Sequence, residues 1–129
     1  MIDLNQITEG LKASCATVSG LRVTSFAADQ INPPTMVFGE YEVDFHKAMQ
    51  KGLTLVKHTG RLYVSRATDR SAQAELAKWI PLVWVAIEAD DTLGGAAQTL
   101  IVTSTGRAGV YSVANVDYIG IDFNIDVYA

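Results

Sequence analysis

Few residues in this chain could do chemistry: two histidines (His46 and His58), one cysteine (Cys15), and a run of aspartates near the end. A zinc site needs three or four ligands converging from set spacings. Neither histidine has a cysteine or carboxylate at such a spacing, so no metal is expected. Asp122 and Asp126 share one face of an alternating segment but lie roughly 13 Å apart along a strand. Two carboxylates acting on one glycosidic bond stand about 5–10 Å apart, so the pair reads as a solvated or subunit-facing acidic strip. Gly94–Gly95 lacks the spacing and the lysine of a phosphate-cradling loop. Ser104 and Ser112 sit in no nucleophile elbow, and Cys15 lies on the apolar stripe of a helix, where a small core residue belongs. No catalytic residue and no cofactor is expected. The sequence points to a protein that works through its surfaces.

The chain that must build those surfaces has 129 residues, enough for a single domain over 1–129 with one core. Hydrophobic residues make up 49% and charged residues 19%. That apolar balance fits either a well-filled core or surface covered by neighbouring copies or partners. The formal net charge of −4 is uneven. Acids and bases balance over residues 1–89, while Asp90, Asp91, Asp117, Asp122 and Asp126 face Arg107 alone thereafter. A basic nucleic-acid footprint is missing. One cysteine excludes an internal disulfide framework. The start, MIDLNQITEG, has no basic flank and apolar run of a signal peptide, and no segment reaches the roughly 20 apolar residues of a membrane span. A soluble protein in a reducing compartment is expected.

Asp3, with Gln6 three residues on, predicts a helix start, and Leu4, Ile7, Leu11, Cys15 and Val18 form its apolar stripe up to Gly20. LRVTSF (21–26) reads as a strand. Pro33–Pro34 fixes the polar segment 27–35 as an extended loop. MVF (36–38) and YEVDFH (41–46) read as two strands, with a turn at Gly39–Glu40. Residues 53–66 fit one long strand or two short ones meeting at Thr59–Gly60, and the single strand is preferred. A second helix begins at Asp69 or Thr68. Pro81 predicts its interruption and the first turn of a further helical segment. Trp79 and Trp84 read as helix-face anchors on the sheet, or one of them as an interface residue. After a turn at 91–98 come a strand, TLIVTS (99–104), and a hairpin through Ala114–Asn115. In the final strand Ile119, Ile121, Phe123, Ile125 and Val127 alternate against Tyr118, Asp122, Asn124, Asp126 and Tyr128. The order implies an α+β fold, a largely antiparallel sheet with helices packed on one face.

Three stretches carry a further likeness: GLRVTSFAADQINPPTMVFGEYEVDF, LYVSRATDRSAQAEL, and VWVAIEADDTLGGAAQTLIVT followed by GVYSVANVDYIGIDFNIDVYA. In this order the chain resembles tail terminator proteins, the tail-completion or neck subunits of long-tailed actinobacterial phages. The region AKWIPLVWV is more compact than that pattern, which leaves the helix boundaries open. The resemblance implies a ring, usually a hexamer, on the head-proximal end of the tail tube. Such a ring ends tube polymerisation and joins the tail to the head connector, so the partners are further copies of the chain, the tube protein and the connector proteins. DNA would pass through its channel without specific binding, and the protein would be assembled in host cytoplasm and end in the virion. Other readings stay open: another neck or tail-tube component (a head–tail adaptor or the tube protein), or a small-ligand-binding α+β domain.

Interface candidates follow. Gln30, Asn32, Pro33 and Pro34 lie in the stiff loop. Arg66 and Arg70 flank the start of the second helix, where positive charge is mildly unfavourable locally. Asp122 and Asp126 are the acids with which a neighbouring copy's arginine would pair.

Overall fold

The computed structural model describes residues 3–25, 34–44, 54–65, 69–95, 97–113 and 115–129. Helix α1 (Leu4–Ala16) starts as the sequence predicts, with Asp3 Oδ1 accepting the Gln6 amide at 3.1 Å. That bond satisfies one of the amides that a helix start leaves without a partner. The stripe is buried at Ile7, Leu11 and Cys15, with Leu4 and Val18 half-buried beside it. The helix ends at Ala16 with Thr17 as cap, so Gly20 (φ 84°) turns the chain after it.

Strands β1 (Arg22–Ser25), β2 (Thr35–Asp44), β3 (Leu55–Ser65), β4 (Thr99–Thr105), β5 (Gly109–Val113) and β6 (Val116–Tyr128) form one sheet, ordered β1-β2-β3-β6-β4. All the pairings are antiparallel except β1 with β2. Both β4 and β5 pair with β6, β4 along residues 123–128 and β5 along 116–120. Helix α1 and helix α2 (Asp69–Glu88) share one apolar core with the same side of the sheet, so the fold is α+β with its helices on one face. The alternating set Ile119, Ile121, Phe123, Ile125 and Val127 is buried against them.

Residues 35–44 form one strand, not two with a turn between them. Val37 pairs with Arg61 and Glu40 with Thr59, so Phe38 and Gly39 together stand opposite Gly60. This bulge inserts one residue and reverses the side-chain phase. Met36 and Phe38 before it, and Tyr41 and Val43 after it, therefore all share the helix side. Phe38 fills that side over Gly60, where an added Cβ would stand 2.6 Å from Phe38 Cε1 and 2.5 Å from Met36 Cε.

Pro81 does not interrupt α2, which runs unbroken through it. The amide that proline lacks would have bonded the Ala77 carbonyl. Both residues are exposed, so water can serve that carbonyl without breaking the helix. Residues 55–65 are one strand, paired over their whole length with β6. The final hairpin turns at Asn115 (φ 66°), a left-handed conformation that asparagine tolerates. No helix among the described residues is long and apolar enough to cross a membrane.

Candidate interaction surfaces

The sheet side away from the helices carries a polar surface set by strand register. Glu40 lies beside Thr59, Glu42 beside Lys57, Lys57 beside Asp126, and Thr59 beside Asn124. These residues line a shallow concavity of about 540 Å³, completed by Thr103 and Ser104 of β4. Asn124 Nδ2 donates to Ser104 Oγ at 3.1 Å, tying β6 to β4 across it. Its acids, Glu40, Glu42 and Asp126, outnumber Lys57.

Next to this concavity Arg61 is held from two directions. Its Nε donates to Asp122 Oδ1 at 2.7 Å, and its guanidinium carbon lies 4.1 Å from the centre of the Tyr111 ring. The Asp122 hydrogen bond is the largest effect holding Arg61 charged, well above the ordinary arginine range, while burial opposes it. Tyr111 reaches Arg61 by lying over Gly120, where an added Cβ would come within 2.8 Å of its Cδ2. Tyr63 and Tyr118 pack edge-on beside it and make a small second cluster with Val37, Tyr111 and Val113.

The interface candidates from the sequence are not brought together. Gln30, Asn32, Pro33 and Arg66 lie outside the described residues, as does His46. Pro34 is half-buried, and its carbonyl accepts the Arg22 amide at 3.1 Å, so it anchors the start of β2 to β1. Arg70 is exposed on the first turn of α2, on the helix side of the sheet. Asp122 is engaged within its own chain by Arg61, while Asp126 remains half-buried on the open face. An Arg70–Asp126 contact between copies would therefore need the helix layer of one to meet the open face of the next.

The groups with chemical potential are turned inward. Cys15 is fully buried, and burial pushes its thiol up to about 12, which keeps it protonated and inert. His58 is 1% exposed on the helix side, its ring 5.2 Å from that of Tyr41, and neither ring nitrogen has a hydrogen-bond partner. Burial lowers its pKa to about 4, so the ring is neutral near pH 7. Among the described residues no three His, Cys, Asp or Glu side chains are grouped to hold a metal ion.

Sequence reading missed the apolar exterior of α2. Its second half, IPLVWVAI, is apolar all round, yet only Val83 and Ile87 in it are fully buried. Leu82, Trp84 and Val85 are exposed, Val85 by 65%, and Ile101 of edge strand β4 is also exposed. The signal was present as an unbroken apolar run, which no one-sided helix requires. Trp79 does anchor on the core, while Trp84 faces out and donates to Glu88 Oε2 at 3.0 Å.

No protein-family model matches the chain, and no curated protein matches its sequence.

Proposed function

We propose that this chain is a non-enzymatic ring subunit that closes the head-proximal end of a phage tail tube and joins it to the head connector. The observation that carries the reading is that the two edges of the sheet are formed by different strands. Among the described residues β1 ends the sheet on one side and β4 on the other, with no strand beyond either. Opposite edges of one sheet are different surfaces, so a contact joining them between copies is head-to-tail, and such contacts close into a ring or run on as a filament. The resemblance of the ordered sequence stretches to tail terminators favours closure. The acidic open face supports a wall past which DNA moves without being held, since cationic walls would bind phosphate.

The test adds purified protein to tail-tube subunits during polymerisation. A terminator shortens and caps the tubes without adding length. Co-polymerisation into longer tubes would make it the tube protein instead, and no effect on the tubes would remove the assignment.

A further inference from the structure

The exposed stripe of α2 has an order that the ring reading does not use. From its start to beyond its end it presents Arg70, Ala74, Lys78, Leu82 and Val85, then Asp90 and Asp91, all exposed. The five helical positions, 70 to 85, recur at three and four residues and so lie along one side of the helix, and the two aspartates follow its end. The opposite side, Ala72, Leu76, Trp79, Val83 and Ile87, is the buried one. The stripe is thus basic at its beginning, apolar in its later middle and acidic just past its end.

A surface of this polarity is complementary to itself turned around. Arg70 lies ten positions before Ile80, about 15 Å along the helix, and Asp90 follows two residues after the helix ends at Glu88. Two such helices laid antiparallel about an axis near Ile80 bring each Arg70 towards the other copy's Asp90 and Asp91. The same placement sets Val85 over the small side chain of Ala74, and Leu82 along the methylene stem of Lys78. Antiparallel packing also opposes the two helix dipoles. A parallel arrangement would place like charges together at both ends.

We propose that α2 is a self-docking surface, pairing antiparallel with α2 of a second copy about a two-fold axis near Ile80. The pairing is isologous and cannot propagate, so it is separate from the head-to-tail contacts of a ring: it joins two subunits, or two rings face to face.

A two-fold contact places a residue near the axis against its own counterpart, which no head-to-tail contact does. Full-length Pro81→Cys, one residue from the axis and on the exposed side, should form a covalent dimer under mild oxidation. Cys15 is fully buried, so wild-type protein is the silent control. Adding Val85→Glu should reduce cross-linking at least tenfold while cooperative thermal unfolding is retained. Arg70→Glu should also reduce it, and Arg70→Glu with Asp91→Arg should restore it, Asp90 being left in place because its carboxylate accepts from Thr92 and Gly94 in its own chain. A Pro81→Cys protein that stays monomeric on non-reducing gels overturns the proposal. So does cross-linking that Val85→Glu leaves unchanged. Tube capping is measured separately, so loss of the α2 dimer with capping intact overturns this inference alone.

Discussion

Arg61 and Asp122 face each other across β3 and β6 on the helix-free side of the sheet, their charged groups 2.7 Å apart and each about a quarter exposed. Fully exposed pairs contribute about 0–1 kcal/mol, and breaking a buried one costs about 3–5 kcal/mol. Removal of the Asp122 carboxylate by Asp122→Ala should therefore cost about 1–3 kcal/mol in urea unfolding. A double-mutant cycle with Arg61→Ala should show coupling between the two. Additive losses would mean that the pair does not hold β3 to β6.

That pairing also bears on assembly. Asp122 is committed within the chain, so Asp122→Lys should destabilise the monomer itself. It should not rescue an interface weakened by Arg70→Glu. Rescue of oligomers by Asp122→Lys, seen in sedimentation velocity, would show that the aspartate serves a neighbouring copy instead.

Leu11 is fully buried in the stripe of α1. Leu11→Ala should cost about 2–5 kcal/mol, the range for buried leucine truncations. Chemical denaturation at low protein concentration measures this, and a change near zero would mean that α1 does not pack on the sheet in solution.

Gly60 faces the bulge of β2, and a methyl group there meets Met36 and Phe38 at under 3 Å. Gly60→Ala should destabilise by about 1–3 kcal/mol, the usual cost of overpacking. The thermal midpoint should fall accordingly. An unchanged or raised midpoint would show that Phe38 does not lie over Gly60.

His58 makes stability depend on pH. Its folded-state pKa, about 4, lies below the ordinary 6.5 because burial disfavours the charged ring. Between those values the unfolded chain binds the extra proton, so stability falls as pH drops from 6.5 to 4 and the loss levels off below. The full shift corresponds to about 3 kcal/mol. His58→Phe should flatten this part of the profile, and an equal slope in variant and wild type would assign it to other groups.

Local signals were legible and long-range ones were not. The α1 stripe and the alternation at 119–127 each record one element's burial, and both elements are present, α1 ending at Ala16 and not at Gly20. The phase break at Phe38–Gly39 looked like a turn because a bulge and a tight turn both interrupt period-two alternation. Only pairing with β3 separates the two. Pro81 misled because its cost depends on whether the orphaned Ala77 carbonyl meets solvent, which is a tertiary fact. The Arg61–Asp122 pair spans 61 positions and depends on the register of β3 with β6. No local pattern encodes that register. The outward face of α2 was readable from its apolar run, but the proline within it drew attention to a break instead.

In the proposed ring the β1 edge of one copy meets the β4 edge of the next. Negative-stain microscopy of purified full-length protein, alone and mixed with tail tubes, tests this arrangement most directly. Closed rings of one diameter with an open centre are expected, single or paired face to face, with the same rings seated on one end of each tube. Monomers or α2-linked dimers alone at every concentration, with bare tube ends, would contradict it.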